Sequence, residues 1–376
     1  MSSEEDIRYM RMALELAERG RGYVGPNPMV GAVIVRDGRV LAQGWHRVYG
    51  SLHAERDALA SCSSGSVKGA TMYVTLEPCC HHGKQPPCTD AVIAAGISRV
   101  VMAMTDPNPL VAGRGVSILR SHGIDVTTGV LEAEARHLNR VFIKYITTRQ
   151  PWVVLKWAMT LDGRIAAFSG DSKWVSGERS RHLVHELRGR YMGIVAGIGT
   201  VLADDPMLNC RVDGMRQPVR IIVDSRASMP ADSRIARTAG EYRTVLAHTE
   251  SAQEQNLAAL RSCGVETLLC SASAGGRVDV GDMLGRLGAM GLDSVLVEGG
   301  GELNWSFIQA ALADEYYVFV APKIVGGSGA KGPVEGAGFG TMGEACGIVA
   351  DSVERCGEDV LIHGFSEKYR HECLQE

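Results

Sequence analysis

The sequence has no apolar stretch of the roughly 20 residues that a helix needs to cross a bilayer. It also lacks an excess of basic residues, because 39 Lys and Arg stand against 43 Asp and Glu, for a formal net charge of −4. Nucleic-acid-binding surfaces need clustered positive charge. The start, Met1–Asp6, is acidic and polar, whereas a signal peptide is basic and then apolar. We therefore expect a cytoplasmic protein that binds neither nucleic acid nor membrane.

At 376 residues the chain exceeds what one hydrophobic core usually serves, which predicts two domains. A polar segment, Thr147–Gln150, follows a predicted helix over Glu132–Tyr145 and precedes Pro151. Helices usually end before a proline. We place the boundary there, with domains over residues 1–147 and 148–376. We also expect the protein to form a homo-oligomer.

Three residues of the first half form a set that suits zinc: His53, Cys79 and Cys88. Zn²⁺ prefers His and Cys ligands, and catalytic sites keep three protein ligands and a fourth position for water. Glu55, two residues after His53, could take a proton from that water and pass it to a leaving amine. This is the layout of the zinc deaminases, although their two cysteines are separated by two residues and these by eight.

A closed structural zinc site is the alternative, since Cys80, His81 or His82 could supply a fourth ligand. A closed site gives no role to Glu55. Residues two apart on a helix point about 200° away from each other. His53 and Glu55 can therefore share a target only at the start of a helix.

An Asp37-Gly38 pair between two apolar runs predicts a β-hairpin. Helices and strands then alternate, which predicts a mixed sheet between helical layers. Ligands of such sheets lie beyond strand ends. Asn27, Asp106 and Asn108 fall at such ends and could read the edge of a heterocycle, but turn formation explains each of them equally well.

The second half contains seven short apolar strands, typical of strands buried on both faces. Two glycine loops, Gly197–Thr200 and Glu298–Glu302, follow two of them, and the second precedes a predicted helix over Leu303–Leu312. Backbone N–H groups at a helix start can bind a pyrophosphate. Neither loop has the G-x-G-x-x-G fingerprint, so tight turns remain an equal alternative. The segment 326–340 contains seven glycines and could form either an ordered rim or a mobile flap.

The stretches Gly25–Gly31, Gly44–His46, His53–Glu55, Thr75–Cys88 and Asp106–Pro109 resemble the deaminase half of the bifunctional riboflavin-biosynthesis deaminase-reductases. The resemblance implies a cytidine-deaminase-like fold and loss of the 2-amino group from a phosphoribosylamino-pyrimidinone. The resemblance also implies that Glu55 is the catalytic residue that carries the proton. The substrate contacts that it implies are Asn27, His46, Lys84, Asp106 and Asn108, with Lys84 at the phosphate.

The stretches Leu155–Arg164, Ser172–Trp174, Gly197–Pro206 and Val297–Gly301 resemble the reductase half, whose fold is similar to dihydrofolate reductase. The resemblance implies NADPH and places Lys156 at the hydride-transfer site. The implied cofactor contacts are Ala158, Trp174, Thr200, Asp204, Ser225, Gly299, Gly300, Gly301, Glu302, Leu303, Asn304 and Trp305. The implied substrate contacts are Ser172, Arg188, Leu208, Arg211 and Glu298.

Arg188 and Arg211 suit a phosphorylated pentose, because arginine binds phosphate in a bidentate manner. Each could equally be a surface ion pair. Ser225 and Arg226 after a strand are compatible with the 2′-phosphate of NADPH. Two other hypotheses are an RNA-editing deaminase, which the acidic balance disfavours, and a non-catalytic zinc scaffold.

Overall fold

A computed structural model of the protein describes residues 3–62, 67–82, 85–108 and 111–369. The chain divides into two compact units, residues 1–148 and 149–376. Among the helices of these described ranges, none has the length and apolar character of a membrane span.

The first unit contains one five-stranded mixed sheet in the order β2-β1-β3-β4-β5. Its elements are α1 (Glu4–Glu18), β1 (Gly31–Arg36), β2 (Arg39–Trp45), α2 (Ala54–Ala60), β3 (Thr71–Val74), α3 (Cys88–Ala94), β4 (Arg99–Met102), α4 (Arg114–Ser121), β5 (Asp125–Thr127), α5 (Glu132–Leu138) and α6 (Arg140–Thr148). The predicted hairpin joins β1 and β2, which are antiparallel, and β1 also pairs antiparallel with β3. The pairs β3–β4 and β4–β5 are parallel.

Two glycines set how closely helices approach the hairpin. A Cβ on Gly31 would lie 2.0 Å from the Ala13 carbonyl oxygen of α1, and one on Gly44 would lie 2.3 Å from the Ala58 nitrogen of α2. Gly44 pairs with Ala32, the neighbour of Gly31, so the two glycines face opposite sides of the sheet. Helices α1 and α2 consequently pack on opposite faces, which makes the sheet the middle layer.

The single helix predicted over Glu132–Tyr145 is wrong, because the structure has two helices that meet at Asn139. The buried Asn139 side chain accepts a hydrogen bond from the Met29 N–H at 2.8 Å and donates one to the Met29 carbonyl at 2.9 Å. The helix break therefore holds the loop that carries Asn27.

The second unit contains a nine-stranded sheet in the order β10-β9-β8-β7-β11-β6-β12-β14-β13. Its elements are β6 (Trp152–Thr160), α7 (Glu178–Arg190), β7 (Gly193–Gly197), α8 (Ile198–Asp204), β8 (Val219–Val223), α9 (Arg234–Arg237), β9 (Thr244–His248), α10 (Glu254–Ser262), β10 (Glu266–Leu269), α11 (Val280–Ala289), β11 (Ser294–Val297), α12 (Gly301–Gln309), β12 (Glu315–Ala321), β13 (Ile348–Cys356) and β14 (Asp359–Ser366). The run from β10 to β12 is parallel. The carboxyl ends of these parallel strands therefore lie at one edge of the sheet.

The antiparallel hairpin β13–β14 extends the sheet beyond β12, and the predicted set of seven strands omitted it. Most β13 side chains are exposed, so the strand carries no apolar run. The first strand of this unit, β6, continues beside β12 to Thr160.

Both glycine loops lie at helix starts. Gly197 is the N-cap of α8, and Gly300 is the N-cap of α12, which begins and ends before the predicted Leu303–Leu312 limits. Because β7 and β11 are neighbours, the two loops lie side by side at the carboxyl edge. The segment 326–340 has no regular secondary structure and packs on α12, where Asn304 Nδ2 donates to the Pro333 carbonyl at 2.8 Å.

Candidate active sites

The three predicted zinc ligands lie together in the first unit. His53 is the N-cap of α2, Cys88 is the first residue of α3, and Cys79 lies in the loop after β3. Both sulfurs are 3.5 Å from His53 Nδ1, and all three ligand atoms lie within 4.8 Å of one another. Hydrogen bonds from Cys88 and His53 lower the pKa of Cys79, which favours the thiolate that binds metals.

This donor set fits an open zinc site. Within the described ranges no further His, Cys, Asp or Glu joins the three ligand atoms, and Cys80, His81 and His82 stay outside the set. Three ligands of these types match catalytic rather than closed structural sites. The arrangement favours the open alternative.

Glu55 lies in the first turn of α2 and is only 3% exposed. Burial raises its pKa to about 7, and the nearby Cys79 sulfur adds to the rise. The Cys88 thiol also hydrogen bonds to this carboxylate. Since His53 caps the same helix, both side chains can face one target at the helix start, as the sequence required.

Asn27 and His46 form a polar chain beside the ligands. His46 Nδ1 lies 2.9 Å from the Leu52 carbonyl, so this nitrogen carries the proton and Nε2 accepts from Asn27 Nδ2 at 3.2 Å. Burial lowers the pKa of His46, which keeps the ring neutral. The His46 ring lies edge-on to His53 at 5.5 Å between centroids. The structure thus brings two predicted substrate contacts to the predicted metal site.

Asp106 is buried in the loop after β4, and burial raises its pKa to about 6. One Asp106 oxygen accepts from the Asn108 N–H at 2.8 Å. The loop is fixed by Glu77, whose carboxylate accepts from the backbone N–H groups of Asp106, Gly113 and Val116 at 2.9–3.1 Å. Sequence reasoning missed Glu77, because nothing in its spacing indicates three backbone partners. Lys84 lies outside the described residues.

The second unit holds a cavity of about 910 Å³ at the carboxyl edge of its sheet. Most predicted cofactor and substrate residues line it: Lys156, Ala158, Ser172, Trp174, Arg188, Thr200, Asp204, Arg211, Ser225, Glu298, Gly299, Gly300, Gly301, Glu302 and Leu303. Both glycine loops contribute to its wall. Helix starts on such a wall favour the nucleotide interpretation over plain turns, because the first N–H groups of a helix have no intrahelical partner.

Three predicted contacts lie elsewhere. Leu208 is buried in a hydrophobic cluster. Asn304 and Trp305 turn toward the glycine-rich segment, where the Trp305 ring meets Phe339 edge-on at 5.0 Å. A helix rotates by about 100° per residue, so Leu303 and Ser306 of α12 line the cavity while Asn304 and Trp305 lie on another face of the helix. Their roles as contacts stay predictions.

One end of the cavity carries a buried charge cluster. Glu298 binds Arg188 through two hydrogen bonds, of 2.6 and 3.0 Å, and Lys156 Nζ lies 3.3 Å from the same carboxylate. Burial alone would raise the pKa of Glu298, but the positive Arg188 and Lys156 lower it to about 2. Two cations against one carboxylate leave a positive charge at this end.

The other end lies beyond β8, on the opposite side of β7 and β11 from β6. Asp224 follows this strand, but its buried carboxylate accepts from the Met229 N–H at 2.8 Å and the Ser228 hydroxyl at 3.1 Å. The acid is therefore engaged by its own loop. Ser225 and the exposed Arg226 line the cavity beside it.

Two family models match the chain. The cytidine and deoxycytidylate deaminase zinc-binding region matches residues 3–104, and the RibD C-terminal domain matches residues 151–362. The riboflavin biosynthesis protein RibD of Actinobacillus pleuropneumoniae is 47% identical over 357 residues, which cover 95% of this chain and 94% of that protein.

Two solved structures are similar over nearly the whole chain. One form of Acinetobacter baumannii RibD is 35% identical with a TM-score of 0.86, and covers 96% of this chain and 99% of its own. A diaminohydroxyphosphoribosylaminopyrimidine deaminase/5-amino-6-(5-phosphoribosylamino)uracil reductase from Thermotoga maritima is 38% identical with a TM-score of 0.84 and the same coverage. The predicted resemblance and the two-domain α/β class are confirmed, and the chain belongs to the RibD family of bifunctional riboflavin biosynthesis enzymes, which join a zinc-binding deaminase region to a reductase domain.

Proposed function

We propose that the protein catalyses two successive reactions. The first is hydrolytic loss of the 2-amino group of 2,5-diamino-6-(5-phosphoribosylamino)pyrimidin-4-one. The second is NADPH-dependent reduction of the ribosyl side chain of 5-amino-6-(5-phosphoribosylamino)uracil to ribitylamino. The observation that carries the proposal is the three-ligand cluster of His53, Cys79 and Cys88 beside a buried carboxylate that is not part of it.

In the deaminase unit, His53, Cys79 and Cys88 would hold zinc, which supplies an activated water when bound. Glu55 is buried against the ligands, so it can move a proton from that water to the leaving amine without contact with bulk solvent. Neutral His46 holds the Asn27 amide in place, and Asp106 adds a polar group from a loop fixed by Glu77. These side chains can orient a pyrimidine edge.

In the reductase unit, NADPH supplies the hydride when bound, and the protein positions the two ligands. The glycine loops at Gly197 and Gly300 offer N–H groups to a pyrophosphate near the middle of the cavity. Ser225 and Arg226 suit the 2′-phosphate at one end. Lys156, held by Glu298 at the other end, can donate a proton to the sugar oxygen.

Two variants test the two roles. We expect Glu55→Gln to reduce ammonia release by roughly 100-fold or more, since general acid–base catalysis contributes at least that much. Its zinc content and its reduction of the uracil substrate should not change.

Lys156→Ala should lose reduction while it still binds NADPH. Wild-type ammonia release in Glu55→Gln, or wild-type turnover in Lys156→Ala, would remove the corresponding role.

A further inference from the structure

The two arginines at the substrate end of the reductase cavity are held by different kinds of acceptor. Arg188 is bound by the Glu298 carboxylate. Arg211 is bound by a histidine: its Nε and Nη2 lie 2.9 and 2.6 Å from Nε2 of His185. Within the described ranges, no carboxylate lies within ion-pair distance of Arg211. Arg188 thus shares a carboxylate with Lys156, whereas Arg211 faces a neutral acceptor.

His185 is fixed as a neutral acceptor. Its Nδ1 lies 3.1 Å from the Asn209 carbonyl and donates to it, which leaves Nε2 without a proton. Burial and the positive Arg188 and Arg211 lower its pKa to about 4. The imidazole therefore orients the Arg211 guanidinium without cancelling its charge.

The backbone under Arg211 is also fixed. Gln217 accepts from the Cys210 N–H and donates to the Cys210 carbonyl, each at 2.9 Å. Arg188 Nη1 donates to the same Asn209 carbonyl that His185 binds, at 3.2 Å. Both ends of the Arg211 side chain are thus held, and its remaining N–H groups are available to an anion on the cavity wall.

We propose that His185 is a positioning residue for the reductase step, and that it presents Arg211 with full positive charge to the phosphate of the ribosyl substrate. Arg188, which is bound by Glu298, orients Glu298 and Lys156. The inference rests on the proposed function for the identity of the substrate, while the phosphate site itself can be tested by binding alone.

Three substitutions of His185 distinguish the effect of the acceptor's charge from the effect of having an acceptor at all. His185→Gln keeps a neutral acceptor, His185→Glu supplies a charged one, and His185→Leu removes it. The probes are ribose 5-phosphate and ribose, with binding to the NADPH-loaded full-length protein measured by calorimetry. Steady-state KM and kcat for the phosphorylated uracil substrate complete the comparison.

We expect His185→Gln to bind ribose 5-phosphate within about threefold of the wild type. His185→Glu and His185→Leu should each bind it roughly tenfold more weakly, the size of one charge-assisted hydrogen bond. The substrate KM should follow the same order with kcat nearly constant. Ribose binding and the KM for NADPH should not change.

His182, exposed on the same helix and outside the cavity, provides the matched controls His182→Gln and His182→Leu.

Equal ribose 5-phosphate affinity in the Gln and Glu variants would overturn the inference, because a purely structural role does not distinguish a neutral from a charged acceptor. Arg211→Ala provides the second test if a His185 variant fails to fold. It should lose the preference for ribose 5-phosphate over ribose, and an unchanged preference would also overturn the inference. Absence of NADPH-dependent turnover in the wild type would refute the proposed reaction, and the binding series would still decide the phosphate site.

Discussion

At the level of single residues, Glu77 organises the deaminase site without joining it. Its buried carboxylate accepts from three backbone N–H groups of the loop that carries Asp106. Glu77→Gln would turn an NH₂ group toward one of these donors, and a buried donor without an acceptor costs about 1–3 kcal/mol. We expect a higher deaminase KM, with zinc content and reduction unchanged. A wild-type KM in this variant would show that the loop is held by other contacts.

His185 makes the stability of the reductase unit depend on pH. Its folded pKa of about 4 lies below the ordinary value of 6.5, so the unfolded chain binds more protons between these values. Stability therefore falls as the pH drops from about 6.5 toward about 4, and this part of the dependence should disappear in His185→Gln. The charged groups that face the ring are Arg188, Arg211 and Glu298.

Tryptophan fluorescence during urea unfolding measures this effect. Trp152, Trp157, Trp174 and Trp305, four of the five tryptophans, lie in the second unit. The urea midpoint of the wild type should fall relative to that of His185→Gln as the pH drops from about 6.5 to about 4. Parallel midpoints across this window would contradict the assignment of a neutral, half-buried ring.

The zinc set could be predicted because metal coordination restricts ligand types and leaves a recognisable pattern of His53, Cys79 and Cys88. The roles of Glu77, Asn139 and His185 could not. Each depends on partners distant in the sequence, such as Met29 for Asn139 at a separation of 110 residues. A lone polar residue has no periodicity or spacing that indicates such a partner.

Among the secondary-structure elements, α2 is positioned by Gly44 of β2. In Gly44→Ala the new Cβ would lie 2.3 and 2.6 Å from backbone atoms of Ala58 and Ala54, so α2 must shift. Overpacking of this kind costs about 1–3 kcal/mol. Since His53 caps α2, we expect lower zinc occupancy and lower deaminase activity, with reduction unchanged.

Gly285→Ala is the matched control for that variant. Gly285 lies in α11, where an added Cβ meets nothing within 4 Å, so alanine should leave both activities unchanged and stabilise the helix by up to about 1 kcal/mol. Full zinc occupancy in Gly44→Ala, measured by metal analysis, would mean that α2 adapts without moving His53.

Elements with a strong local pattern were predictable, and those defined by tertiary contacts were not. Buried parallel strands such as β11, in which every residue after Ser294 is apolar, stand out in the sequence. The edge strand β13 has mostly exposed side chains, among them Asp351 and Glu354, and so has no such signal. The break at Asn139 interrupts a helical pattern that continues on both sides, because the Asn139 side chain bonds Met29 instead of solvent.

On the scale of the whole molecule, the two activities reside in units with separate hydrophobic cores. One cluster of buried residues extends from Tyr9 to Phe142, and the two others lie between Val153 and Tyr316. Two domains followed from chain length, and the polar segment before Pro151 indicated the region of the boundary. The sequence could not reveal the size of the second sheet, because strands on both sides of β11 come from distant parts of the chain.

Metal removal should therefore affect only one of the two activities. The proposed ligands His53, Cys79 and Cys88 belong to the first unit, whereas the cavity and four of the five tryptophans belong to the second. After chelation we expect ammonia release to fall to background and to return when zinc is added. NADPH-dependent reduction of the uracil substrate, and the fluorescence-detected urea midpoint, should stay within error of the untreated protein. A chelator inactivated beforehand with excess calcium is the control. Loss of reduction in parallel with deamination would show that the metal site supports the reductase unit as well, contrary to two separate cores.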